Sequence, residues 1–267
     1  MSKYITHFQT EAAYQAALPT LDLPNVSLVD ELGEVHYHRV LYGAHAGDIC
    51  LYDVTEGQKI FVTKDDWNLT DYPTASYPII GIVALPETAT GLTVVSTLFC
   101  AADGSQTTTD NTYKWQNNYF DWGLTKHNTG DLAKTDFNGK SNTTAIINAI
   151  KAYDTANGTD NITGNIGDII QKYHTEGTIA GDWYVPAAGE SYNVYLNKAT
   201  IQTTLTKIYN ASSSLSVSAS NWFKSDWISS SSEYSYDIAW RLDPSNGYAS
   251  NGNGKFSSIS VRAFLRV

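Results

Sequence analysis

The side chains in this chain that could carry chemistry are few and widely spaced. His36 and His38 in EVHYHR would share one face of a strand, where two imidazoles can join a metal site built around a symmetry axis. An HxH pair supplies only half of a four-ligand site, however, and the expected arrangement is a polar face opposite Val35 and Tyr37. Cys50 and Cys100 lie in GDICLYD and STLFCAAD, without the CxxC spacing of a zinc or redox site, so two buried thiols are expected. Glu190 and Glu233 have no evident catalytic companion, and no GxSxG, HExxH or P-loop string occurs. The expectation is a protein that is not an enzyme, with no catalytic residue, no bound metal and no cofactor.

Composition narrows the partners. The 267 residues are 42% hydrophobic and 12% aromatic, enough to bury a sizeable core in one large domain or in a domain with a small extension. A net charge of -10 without a Lys/Arg cluster argues against binding nucleic acid, because there is little to displace counterions from a phosphate backbone. No stretch approaches the run of about 20 apolar residues that spans a bilayer, and MSKYITHFQTEAAYQ carries no signal-peptide apolar region. Synthesis and folding in a cytoplasm, without membrane insertion, are therefore expected.

The elements that must position any site follow from periodicity. Thr10 caps a predicted short helix with Phe8, Ala12 and Ala16 on one side, ended by Pro19 and Pro24 before the extended NVSLV and EVHYHR. Residues 1–42 are too few to hold a core and are expected to serve attachment or oligomerisation. GDICLYD, QKIFVTK, YPIIGIVALP and GLTVVSTLF predict strands. The polar stretch from Gly104 to Asn142 carries Trp115, Tyr119, Phe120 and Trp122, which predicts an ordered insertion. Two helical regions follow, SNTTAIINAIKAYDTANG, stopped by Gly158, and VPAAGESYNVYLNKATIQTTLTKI, with Ile201, Leu205 and Ile208 on one face. The chain then returns to strands, and Val261, Ala263, Leu265 and Val267 alternate at its end. Strands, helices, strands in that order predict an α+β domain over 43–267.

From Gly181 onward the residues carry a resemblance. GDWYVPAAGE, a helix, WISSSSE, AWRLDPSNG, a polar run ending in NGNGK, and VRAFLRV together resemble the C-terminal module of retroelement-diversified variable proteins. The resemblance implies a C-type-lectin fold, with a mixed or antiparallel sheet and two helices, and a variable region at about 227–260. HFQTEAAYQAALPTLDLPNVSLV resembles the attachment segment of some phage structural proteins. Together they imply a receptor-binding protein of a phage tail tip, located in the virion. Its partners would be a host cell-surface protein or glycan, other tail proteins and further copies of itself, with a trimer favoured. In that family adenines are randomised, mostly at Asn codons, and altering the first two bases of AAC or AAT never produces Lys, Glu, Gln, Met or Trp. Between Tyr234 and Ser260 the residues from that set are Trp240 and Lys255, both where the family places scaffold.

Paratope physics agrees with this. Tyr gives a large, stiff contact area at low entropic cost, and Ser, Gly and Asn give adaptable hydrogen bonds. The expected ligand-binding residues are Tyr236, Asp237, Arg241, Asp243, Ser245, Tyr248, Ser250 and Phe256, exposed on one patch. Trp183, Trp227, Trp240, Leu242, Val261 and Ala263 are expected inside. Formylglycine-generating oxidases share the resembling fold but need a C-terminal cysteine pair, and no Cys follows Cys100. Calcium-dependent lectins of this fold use EPN or QPD with WND, and none of these strings occurs. Calcium-independent glycan binding remains open, as does a bacterial surface adhesin, which would need export.

Overall fold

The computed structural model describes residues 28–29, 35–36, 44–88, 91–252 and 254–267. The N-terminal helix expected around Thr10, and His38, lie outside the described residues. Leu28–Val29 (β1) and Val35–His36 (β2) pair with each other, in a sheet that shares no strand with the rest.

A six-stranded sheet forms the centre. Its described strands are Ile49–Asp53 (β3), Gln58–Val62 (β4), Ile79–Thr88 (β5), Gly91–Val95 (β6), Trp183–Tyr184 (β10) and Phe264–Arg266 (β15), in spatial order β10-β15-β6-β5-β3-β4 with every neighbouring pair antiparallel. The end of the chain is thus clamped between β10 and β6, near the start of the domain. Alternation assigns the two faces. Cys50, Val83, Val94, Trp183 and Leu265 point one way, into a core with Ile146, Ile147 and Ile150 of the helix Gly139–Asn157 (α2) and Ile169 and Ile170 of the helix Ile166–Lys172 (α3). Ile49, Ile82, Val95, Tyr184 and Phe264 point the other way, onto Val194 of the helix Ala188–Leu196 (α4) and Ile201, Leu205 and Ile208 of the helix Lys198–Ala211 (α5). Helices on both faces bury the middle of the central sheet, while the edge strand β4 keeps Gln58 exposed and Lys59 half-buried. Each Ile, Leu or Val buried in this way is worth about 1.5 to 3 kcal/mol. The alternation in VRAFLRV therefore has two buried faces, because Phe264 is as buried as Leu265.

The helix count corrects the expectation of two. The second helical region breaks at Asn197, which ends α4 and begins α5. Lys198 Nζ donates to Ser245 O at 2.8 Å and Asn197 Nδ2 to Ala84 O at 3.3 Å, so tertiary contacts hold the bend. The helix α3 and the single turns Gly130–Ala133 (α1) and Ala219–Trp222 (α6) were too short for periodicity to reveal. Gly158 stops α2 as expected, in the left-handed region at φ 63°.

A second sheet of five strands carries the C-terminal stretch: Thr112–Tyr113 (β9), Ile228–Glu233 (β11), Ala239–Asp243 (β12), Tyr248–Ser250 (β13) and Ile259–Ser260 (β14), in order β13-β12-β11-β14-β9. Ile228, Trp240, Leu242 and Ala249 form its inner face, packed on Ala133 of α1 and Ala188 of α4. The pairing is antiparallel except for the parallel contact of Ile228 with Ser260. Phe99–Cys100 (β7) and Gln106–Thr107 (β8) form a separate antiparallel pair.

Candidate ligand-binding face

A buried ion pair anchors one end of the C-terminal surface. Lys255 Nζ lies 2.5 Å from Glu233 Oε1, donates to Tyr236 O at 2.8 Å, and sits 4.0 Å from the ring centroid of Trp122. Glu233 in turn accepts the backbone N–H groups of Trp122 (3.1 Å) and Leu124 (3.0 Å). Burial holds the Lys255 pKa below its ordinary value, while the bonds to Glu233 pull it back up. This one contact ties together the 120–124 loop, the end of β11 and the 255 loop. From those same three backbones, one residue away from an anchored position or a few along, project Tyr119, Tyr236 and Phe256. All three are exposed, and they form a cluster with centroid distances of 4.9 Å for Tyr119 and Phe256 and 6.3 Å for Tyr119 and Tyr236.

The other end lies on the outer face of the second sheet. Register places Arg241 between Ser229 and Ser250, and Asp243 beside Tyr248. The Arg241 guanidinium stacks 4.0 Å from the Trp227 ring centroid and donates to Ser250 Oγ at 3.4 Å. Trp227 reaches Tyr248 at 6.1 Å, and Tyr248 is 62% exposed. The segment between the two ends is held as well. Gly252 N donates to Ser250 Oγ at 3.1 Å, Ile238 bridges Gly254, and Lys255 N donates to Asp237 O at 2.8 Å. A Cβ on Gly252 would come within 2.9 Å of Arg241 Nη2, so this loop runs directly past the guanidinium. The two aromatic groups are therefore joined by one short stretch of chain.

The expected site residues fall unevenly on this surface. Tyr236, Tyr248 and Phe256 are exposed, and Asp237, Arg241, Ser245 and Ser250 are half-buried. Asp243 is buried, contrary to expectation, because its carboxylate holds the turn after β12. It accepts Ser245 N at 2.8 Å, Asn246 Nδ2 at 3.0 Å and Ser225 Oγ at 3.3 Å. Trp227 is a correction in the opposite sense. It lies half-buried on the outer face, one residue before β11 and on the side of Ser229, where Arg241 covers it. Trp183, Trp240, Leu242, Val261 and Ala263 are buried as expected. Sequence reasoning missed Tyr119 as a surface residue, although its setting in NNYF has the same Asn and Tyr composition as the stretches it did single out.

Two buried polar clusters elsewhere are committed to the scaffold. Ser232, Asp136 and His127 lie together, but the Ser232 hydroxyl donates to Asp136 at 2.7 Å and accepts Ala188 N–H at 2.9 Å. His127 Nε2 stands 3.5 Å from Asp136. Glu190 is buried, accepts Ala187 N–H at 2.8 Å and faces Arg266 at 2.6 Å. Burial pushes its carboxyl up to about 7 even so. Burial pushes the free thiols of Cys50 and Cys100 up to about 12, which keeps them protonated. Among the described residues, no group of three His, Cys, Asp or Glu side chains is placed to hold a metal ion, and no helix is long and apolar enough to cross a membrane.

No protein-family model and no curated protein matches the chain. The solved structures include a similar one. It is the crystal structure of a fimbrial protein from Bacteroides ovatus, with a TM-score of 0.48 and 16% identity over 91% of this chain and 50% of that one. The chain spans about half the length of that protein.

Proposed function

We propose that this chain is a non-enzymatic ligand-binding protein whose C-terminal surface, from Trp227 to Ser260, carries the contact residues. The observation that carries the reading is the pairing of a rigid anchor with exposed aromatic side chains: the buried Lys255–Glu233 pair holds three loops, and the side chains that project from them are Tyr119, Tyr236 and Phe256. Stiff aromatic side chains on a fixed backbone give contact area without a large ordering cost, which is what a binding surface needs. Trp240 and Lys255, the residues that Asn-codon variation cannot produce, are both buried scaffold, while Tyr236, Tyr248 and Phe256 stand outside. That division supports a retroelement-diversified protein with a C-type-lectin fold. In this reading it acts in attachment of a phage tail to the host surface, as a homo-oligomer joined through residues 1–42.

The test uses labelled protein and a panel of bacterial cells. Tyr236→Ser, Tyr248→Ser and Phe256→Ser, singly and together, are expected to abolish or redirect cell binding while leaving the melting temperature close to that of the parent. Unchanged binding by the triple variant would overturn the reading. Diversification has its own check in the flanking DNA: a near-copy of the last codons, with Asn codons at the exposed positions, beside a reverse-transcriptase gene.

A further inference from the structure

The three arginines of the described residues are treated differently by the fold. Arg262 donates twice to Asp110, at 3.0 Å each, and Arg266 donates to Glu190 at 2.6 Å. Arg241 forms no ion pair among the described residues. Its bond to Ser250 Oγ is long at 3.4 Å, and its Nε–H is buried without a partner. Burial lowers its pKa, and no carboxylate offsets that effect. Trp227 holds the guanidinium by stacking, so it cannot swing freely into solvent to recover its hydration. A cation kept half-buried and unpaired, on a chain of net charge -10 with carboxylates in plain excess, is a preformed site for an anion from outside.

We propose that Arg241, Trp227, Tyr248 and Ser250 form a subsite for an acidic sugar residue of a glycan, its carboxylate taken by the Arg241 guanidinium and its ring lying against Tyr248. This rests on the reading of the surface as a ligand-binding face. The planar fork of a guanidinium matches the two oxygens of a carboxylate. A pyranose ring offers a flat C–H face, and Tyr248, the more exposed of the two aromatic side chains here, offers a flat surface on the same side of the sheet. Ser250 Oγ, which accepts from Arg241 and from Gly252 N, keeps its hydroxyl proton for a sugar oxygen. The charge selects a single carboxylate over a polyanion: one guanidinium balances one negative charge, and the field of the whole chain repels further ones. An acidic peptide would satisfy Arg241 but leave Tyr248 without a ring to cover it.

Ligand-observed NMR on the full chain tests the subsite with methyl β-glucuronide, the methyl glycoside of N-acetylneuraminic acid, methyl β-glucoside, inorganic phosphate and a Glu-rich peptide. At least one acidic glycoside is expected to bind, and methyl β-glucoside, which differs from the glucuronide by the carboxylate alone, is expected not to. Arg241→Gln should weaken the acidic glycoside at least about tenfold, the value of one charged hydrogen-bonded pair. Arg241→Lys, which keeps the charge and loses the fork, should fall between, and melting curves of both variants confirm that they fold. Equal binding of the glucoside, no effect of Arg241→Gln, or preferential binding of phosphate or peptide would each overturn the assignment. If neither acidic glycoside binds while the Tyr236, Tyr248 and Phe256 variants still lose cell binding, the subsite falls and the broader reading stands. If those variants keep their cell binding, the broader reading falls.

Discussion

At the scale of single residues, the C-terminal stretch separates into side chains that hold the fold and side chains that face outward. Trp240 packs edge-on against Tyr234 at 5.6 Å and its indole N–H donates to His127 O at 2.9 Å. Trp240→Ala should cost about 3 to 5 kcal/mol in denaturant unfolding, the range for emptying a packed aromatic site. Tyr248→Ser, at a position without a core role, should shift stability by no more than about 0.5 kcal/mol. Glu190 gives a pH signature. Its carboxyl titrates at about 7, above its ordinary 4.5, because burial disfavours the charged form more than Arg266 and the Ala187 N–H favour it. The stability this group contributes is complete below about pH 4.5 and is lost as pH rises through about 7. Glu190→Gln cannot titrate, so its melting temperature should change less across that window than the parent's.

At the scale of elements, helix starts are pressed closely together around Glu190. A Cβ on Gly139, the first residue of α2, would lie 2.1 Å from Glu190 Oε2 and 2.7 Å from Ala187 N. Gly139→Ala should therefore destabilise by about 1 to 3 kcal/mol, against the stabilisation that Ala usually brings to a helix, and chemical denaturation reads the sign. Strand β11 shows the same closeness. All six residues of ISSSSE are buried, and small serines let the central strand of the second sheet pass between Arg241 on one side and α4 on the other. Ser229 and Ser231 leave their hydroxyls without partners there. Nothing in a run of four serines announces full burial, since the same letters compose a solvated loop.

At the scale of the whole molecule, the described strands of residues 28–36 pair only with each other, and an isolated two-stranded hairpin is marginal in water. Both faces of the central sheet are covered by residues from Ala44 onward. A chain lacking residues 1–42 should thus keep its melting temperature while losing oligomeric mass in light scattering. Retention of the parent's mass by the truncated chain would remove the assembly role assigned to that segment.

The order of strands, helices and strands, the stop at Gly158, the buried thiols and the inward Trp183 and Trp240 were all legible in the sequence, because periodicity and residue chemistry report local environment directly. Period two also pointed correctly to the face shared by Trp240 and Leu242. What the tertiary structure alone decided was the second side of each element. Whether Trp227 faces core or solvent depends on which residue lies across the sheet, and Arg241 supplies the cover from a different strand. Asp243 turned inward because a turn four residues long needed its carboxylate, a demand set by the pairing of β12 with β13. Tyr119 joined the surface cluster through Lys255 and Glu233, whose sequence separation hides a contact that folding brings to 2.5 Å. Pairing partners and long-range ion pairs are properties of two segments at once, and one segment's pattern does not contain them.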